Sequence, residues 1–367
     1  MNTRIELCAR DVEFLFRPFV HRKLRLPTRI VLAAMSRGLC PGGLPSPELI
    51  RSYCERAEAG VGLVMTESLA VSPCATGDPD HPEIYSGPAL RRWRLAVRAV
   101  HACGSCIAPQ LWHAGELRSG GSRNRRPRGL ALSPSGVDPV TLLTVGEPMS
   151  RARIADVIEA FARAALRTKA LGFDAVALHG AHGFLIDQFL WEATNRRQDE
   201  YGGSPAGRVR FARELVAAVR KAVGSRFPII LRLSPWKIGH PLAKLAQTPA
   251  ELADIVQPLA EAGVDIFDCS TQDFARPEFE GSPRGFAGWV KRLTGRPVIA
   301  VGGVGFSYAA TDRERRRAIQ TRMRLLLQLM QAGEFDLIAV GRALLADGEW
   351  AAKVRRGDWS DIIPWQR

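Results

Sequence analysis

Eight times along this chain a short apolar run of strand length gives way to a longer stretch of helical periodicity. The strand candidates are residues 30–35, 62–68, 106–113, 175–180, 229–235, 266–270, 298–303 and 337–342. The helix candidates lie near residues 47–59, 88–102, 151–171, 205–223, 249–263, 284–294, 311–333 and 343–355. Helix punctuation agrees with them. Thr248-Pro249 reads as a cap with proline at the first helical position and Glu251 three residues after the cap, while Ala262-Gly263 and Ala332-Gly333 read as glycine stops. Strands buried on both faces are apolar throughout, the habit of parallel sheets covered by their crossover helices. Eight such units predict an α/β chain closed into a (β/α)8 TIM barrel. An open doubly wound sheet is the alternative, but it calls for a G-x-G-x-x-G after the first strand, and none is there. Barrels of this kind routinely fill 367 residues as one domain, and 46% hydrophobic residues supply one large core. We expect a single domain over residues 1–367, with its barrel core at about 28–355.

A barrel puts its active site at the C-terminal ends of the strands. Polar, chemically capable residues do gather at those ends. They are Met35-Ser36-Arg37, Thr66-Glu67-Ser68, Gln110 with Trp112 and His113, His179-Gly180-Ala181-His182, Arg232, Gly302-Gly303 and Gly341-Arg342. Two connections are long, about 114–149 after the third strand and 181–204 after the fourth, and long loops in compact domains usually carry function.

Each cluster suggests chemistry. Glycines at the ends of strands seven and eight let backbone N–H groups approach a phosphate, and Arg342 adds a charged fork; the bland reading is glycine-shaped turns and a surface arginine. His179 and His182 form a His-x-x-His across a strand end. They are either metal ligands lacking an obvious third partner, two donors converging on a carbonyl oxygen, or two structural histidines. Arg232, in the middle of Ile-Ile-Leu-Arg-Leu-Ser, has to meet something polar: a ligand or an internal ion pair.

Composition removes other classes. The seven cysteines are scattered, so no disulfide framework is expected, and the Cys103/Cys106 pair stands alone and reads as two ordinary thiols. No apolar run approaches the roughly 20 residues of a membrane span, and the charged N-terminus lacks a signal-peptide core. A cytoplasmic protein with no membrane partner is the expectation. The net charge of +14 raises the question of nucleic acid. The basic clusters at Arg123, Arg125, Arg126 and Arg128 and at Arg313, Arg315, Arg316 and Arg317 carry no interleaved aromatics. A solvated basic surface attracting small anions is expected instead. Dimers are the commonest soluble oligomers, and a homo-oligomer is compatible with the sequence.

The stretch from His179 to Leu190, His-Gly-Ala-His-Gly-Phe-Leu-Ile-Asp-Gln-Phe-Leu, resembles the signature H-G-A-[HN]-G-Y-L-x-x-Q-F-L of the old yellow enzyme family. Asn195-Arg196-Arg197 with Asp199-Glu200-Tyr201-Gly202-Gly203-Ser204 resembles the N-x-R-x-D-E-Y-G-G-S that follows it. Leu15-Phe16-Arg17-Pro18, Arg29-Ile30-Val31, Gln110-Leu111-Trp112-His113-Ala114-Gly115 and Val340-Gly341-Arg342-Ala343 extend the likeness from about residue 15 to 355. The resemblance implies FMN as cofactor, NADPH or NADH as reductant, and an enone-type small molecule as substrate. It implies that Ala33, Ala34, Met35, Ser36 and Ser68 lie along the flavin ring, with Ser36 where the family carries Thr or Cys. Gln110 would bind the pyrimidine part and Arg232 would face its N1 edge. Gly302, Gly303, Gly341 and Arg342 would hold the phosphate. His179 and His182, with Trp112 beside them, would bind the substrate carbonyl.

One departure matters most. The family's proton-donor Tyr is Phe184 here, and phenylalanine has no proton to give. Carbonyl activation and hydride delivery are expected to survive, with the proton coming from elsewhere. A flavin-dependent isomerase or desaturase is therefore the alternative, and a barrel binding a sugar or nucleotide phosphate without redox chemistry a more distant one. Glu116 stands where the family often has Arg. The branch with an iron–sulfur domain is not expected, because no cysteine follows Cys269.

Overall fold

The computed structural model describes residues 6–117, 132–309 and 311–365. The arginine cluster at 123–128 lies outside the described residues, as does much of the long connection after the third barrel strand. A short antiparallel hairpin, β1 (Phe19–His21) and β2 (Leu24–Leu26), comes first. Eight parallel strands then close a barrel: β3 (Ile30–Leu32), β4 (Leu63–Ala70), β5 (Cys106–Trp112), β6 (Val176–His182), β7 (Ile229–Lys237), β8 (Ile266–Ser270), β9 (Val298–Val301) and β10 (Leu337–Val340). They pair in chain order, and β10 returns to β3.

Helices follow the strands where the periodicity predicts them, among them Pro47–Glu58, Gly87–Ala102, Arg151–Leu171, Pro205–Val223, Pro249–Ala262 and Asp312–Gln331. Thr248 Oγ1 accepts the Glu251 N–H at 3.2 Å, so the cap read from sequence is made. Two short helices, Arg342–Ala346 and Trp350–Arg356, stand in place of the one expected over 343–355. The first strand is half the length expected: regular structure ends at Leu32, and the Ala33 N–H makes one more bond, to the Val340 carbonyl.

Alternation along the strands builds two separate cores. One face, with Ile30, Leu32, Ile107, Leu178, Leu231 and Ile338, packs outward against helix residues such as Trp93, Phe161, Phe211 and Leu215. The other face fills the lumen with Val31, Leu63, Met65, Ala108, Ala177, Ile230, Ile266, Ile299, Leu337 and Ala339. Phe19, Leu24 and Leu26 of the hairpin belong to this inner cluster and close it off.

The second signature segment is a brace. Asn195 Nδ2 donates to the carbonyls of Phe189 and Tyr201, both at 2.7 Å. Arg197 forks onto Asp199 at 2.9 and 2.6 Å and also donates to the carbonyls of Pro134 and Met149. The loop after β6 is thereby tied to the chain leaving the loop after β5. Cys103 and Cys106 point to different partners, Glu58 and the Arg25 carbonyl, and burial pushes both thiols up to about 12. Neither has the lowered pKa of a reactive thiolate.

Candidate active site

Two residues further along the inner face of several strands, apolar side chains give way to polar ones. Ala108 is followed by Gln110, Ala177 by His179, Ile230 by Arg232 and Ile266 by Asp268. The ladder sets the last three side by side, since His179 pairs with Arg232 and Arg232 with Asp268. Ser68 pairs with Gln110. All of these except Ser68 are buried, so each polar atom has to find a partner.

Some do and some do not. Ser68 Oγ donates to Gln110 Oε1 at 3.1 Å, leaving Gln110 Nε2 buried without a partner. Arg232 Nε donates to Asp268 Oδ2 at 2.6 Å, and its Nη1 reaches the Ala34 carbonyl at 3.5 Å. Arg232 Nη2 is left without a partner. Burial raises the Asp268 carboxyl, and the Arg232 charge pulls it back. The internal ion pair weighed from sequence is therefore real, yet it satisfies only part of the guanidinium. Ala33, Ala34 and Met35 line the adjacent segment, where the Ala33 N–H donates to the Val340 carbonyl at 3.0 Å; Ser36 is exposed beyond them.

The histidines sit at the end of β6. Their rings meet edge to face with centroids 5.2 Å apart. Burial, followed by the Arg232 charge, holds His179 well below the usual imidazole range; burial, followed by His179, does the same to His182. Both are neutral at pH 7, so each keeps an N–H to donate. His179 Nδ1 is buried with no partner. His182 Nε2 lies 2.9 Å from Ser270 Oγ, and its ring stacks on Trp236 at 4.3 Å. Its backbone has φ +65°, in the left-handed region.

A clamp that sequence reasoning missed holds this turn. Lys237 and Asp187 form a fully buried pair at 2.8 Å. Asp187 Oδ2 accepts the Gly183 N–H at 2.7 Å, Lys237 Nζ donates to the Ser234 carbonyl at 2.9 Å, and Ser234 Oγ accepts the His182 N–H at 3.0 Å. Lys237 belongs to no motif, although a lysine in an apolar strand was a signal.

Phe184 packs edge-on against His179 at 4.7 Å and against Trp112 at 5.3 Å. His81, also missed, stacks on Trp112 with ring centroids 4.1 Å apart. Beside Trp236 and Thr271 opens a cleft of about 270 Å³, with Lys244, Arg276, Glu278 and Phe279 in its wall.

The glycines stand across the mouth. Gly302 has φ +138°, and a Cβ there would lie 2.5 Å from the Thr271 carbonyl; a Cβ on Gly341 would lie 3.0 Å from Met35 Sδ. Arg342 turns toward an aromatic group, with its guanidinium 4.2 Å from the Phe306 ring centroid and Nη1 donating to Tyr308 Oη at 2.6 Å. That uses one of its five donors.

This arrangement has known relatives. The profile of the NADH:flavin oxidoreductase / NADH oxidase family matches residues 14–359. The chain belongs to that family, the old yellow enzyme family. It is 36% identical over 234 residues to 12-oxophytodienoate reductase 7 of Oryza sativa subsp. japonica, covering 60% of this chain and 58% of that protein. It is 32% identical over 350 residues to an NADH oxidase of Thermoanaerobacter brockii, covering 92% of this chain and half of that protein. The matches thus span about half to six-tenths of these relatives' lengths. Among solved structures, morphinone reductase in complex with tetrahydroNAD superposes with a TM-score of 0.74 at 26% identity, covering 94% of this chain and 90% of that one. Old yellow enzyme membership brings FMN as cofactor and NAD(P)H as reductant. The orphaned Gln110 Nε2 and Arg232 Nη2, two buried donors in one barrel mouth, suit the electron-rich edge of a flavin. No described helix is long and apolar enough to cross a membrane.

Proposed function

We propose that this protein reduces activated C=C bonds of α,β-unsaturated carbonyl compounds. The observation that carries the reading is the pair of neutral, buried imidazoles meeting at the end of β6, on the same inner rim as the unsatisfied Gln110 and Arg232 donors. FMN, when bound, supplies the hydride taken from NADPH or NADH. Gln110, Ser68, Arg232 and the Ala33–Ser36 segment would hold the ring, and Gly302, Gly303, Gly341 and Arg342 the phosphate.

His179 and His182 donate to the substrate oxygen, with Trp112 as an apolar wall. As hydride arrives at the β-carbon, negative charge grows on that oxygen, and the two donors bind it more tightly than the ground-state carbonyl. The lowered imidazole pKa values keep one nitrogen of each ring free of a second proton, so the pair adds no net charge to the site. Phe184 leaves protonation of the α-carbon to another source.

The test is anaerobic. Reduce the protein with NADPH, add 2-cyclohexenone, and follow the flavin absorbance together with the products. Return of the oxidised band with saturated ketone supports the reading. A second reading, flavin-dependent isomerisation or desaturation, is favoured by Phe184, whose ring contacts are the apolar-walled His179 and Trp112. It predicts bleaching by NADPH without return on enone.

A further inference from the structure

Behind the ends of β3 and β4 lies a carboxylate that the chemistry above leaves unused. Glu67 is buried on β4, one residue before Ser68. Its Oε1 accepts the Arg37 N–H at 3.0 Å, and Arg37 follows Ser36. A single side chain therefore ties the neighbour of Ser68 to the neighbour of Ser36. The β4 ladder shifts register between Met65 and Ser68, which takes Thr66 and Glu67 out of regular pairing. The titratable and charged groups facing Glu67 are Arg37 and Cys40 from the segment after β3 and Tyr53 from the helix Pro47–Glu58. Tyr53 Oη accepts the Glu67 N–H at 3.3 Å, and the Arg37 guanidinium is hydrogen-bonded to Ser52 on the same helix.

We propose that Glu67 is a positioning residue for the cofactor: as a carboxylate it fastens the Ala33–Arg37 segment to β4, keeping Ser36 and Ser68 at the spacing FMN requires, and on protonation it loosens that hold. This rests on the flavin placement proposed above. An ionised acceptor bonds a backbone N–H roughly twice as strongly as a neutral one. Burial raises Glu67 to about 7, against the pull of the Arg37 N–H and charge, so the change of state falls near neutral pH. Burial pushes the Cys40 thiol to about 12 and the Tyr53 hydroxyl well above its usual range, and the Glu67 charge adds to both, so both stay protonated beside it. FMN affinity is then steady at high pH and falls as pH drops through about 7.

The experiment titrates full-length apoprotein with FMN by fluorescence quenching from pH 6 to 8, for wild type and Glu67→Gln. Both proteins meet the same ionisation of the FMN phosphate, so the ratio of their Kd values isolates residue 67. The wild-type Kd is expected to rise about fivefold relative to Glu67→Gln between pH 8 and 6, as a charge-assisted bond becomes a neutral one. Arg37→Met removes a charge that favours the carboxylate but keeps the N–H, so it moves the midpoint to higher pH. Parallel wild-type and Glu67→Gln curves, or an unmoved midpoint in Arg37→Met, would overturn the proposal; if Glu67→Gln does not fold, the Arg37→Met midpoint decides. Ser36→Cys separates the two claims. A visible spectrum of bound FMN unchanged by that exchange would sink the flavin placement itself, whatever the pH curves show.

Discussion

The barrel interior has two floors, and they differ by two residues on each strand. The lower floor, with Ala108, Ala177, Ile230 and Ile266, is apolar, closed by the hairpin and satisfied by packing alone. The upper floor, with Gln110, His179, Arg232 and Asp268, is just as buried but carries unpartnered atoms on all four residues. Burying an unsatisfied polar group costs about 1–3 kcal/mol. A core that tolerates four such residues in one ring is arranged for something other than its own stability. The lower floor specifies the barrel; the upper floor holds the donors and acceptors that our proposal assigns to cofactor and substrate.

The largest effect should come from erasing the difference. Arg232→Met alone leaves Asp268 buried and unpaired, which costs about 3–5 kcal/mol. Converting both, Arg232→Met with Asp268→Leu, is expected to restore a thermal midpoint near wild type while FMN binding is lost, as read by absorbance after purification. Recovery of stability together with flavin would mean the upper floor is ordinary core. A change confined to the lower floor should act the other way. Ile266→Ala is expected to destabilise by about 2–5 kcal/mol in denaturant unfolding, with the flavin spectrum of the folded protein unchanged.

Smaller effects sharpen the comparison. Phe184→Tyr restores a proton donor beside His179. Reoxidation of the reduced flavin by enone is expected to quicken by about 10²-fold, the lower end of the range of general acid catalysis, while reduction by NADPH keeps its rate. The smallest effect concerns Glu67, whose raised pKa has a defined sign. Between its unfolded value of 4.5 and its folded value of about 7, the folded protein holds a proton that the unfolded chain lacks. That contribution to stability is present at low pH and declines as pH rises to about 7. Glu67→Gln is therefore expected to melt a few degrees higher than wild type at pH 8 and to converge with it toward pH 5. A lower midpoint at pH 8 would mean that the Arg37 contact outweighs the burial.

Much of this was legible beforehand. Strand and helix order follows from periodicity, and the polar residues at strand ends announce the active face. The hairpin was not legible, because three-residue strands such as Leu24–Leu26 are too short to show an alternation. Nor was the pairing of Asp187 with Lys237, since the two lie 50 residues apart and no local pattern joins them. His81 was hidden for the same reason: its stacking on Trp112 depends on how the loop after β4 folds back. Arg342 was assigned to phosphate by position, but sequence order says nothing of the Phe306 and Tyr308 contacts that its side chain makes.

The central claim is that His179 and His182 grip a carbonyl rather than support the barrel. The direct measurement is anaerobic stopped-flow reoxidation of the reduced flavin in His179→Leu/His182→Leu, with 2-cyclohexenone and with dioxygen as separate oxidants. The account predicts a protein that still holds flavin, reoxidises with dioxygen at the wild-type rate, and is slowed with the enone by at least about 10²-fold, the effect of removing one preorganised donor. An enone rate equal to wild type in that variant would contradict it.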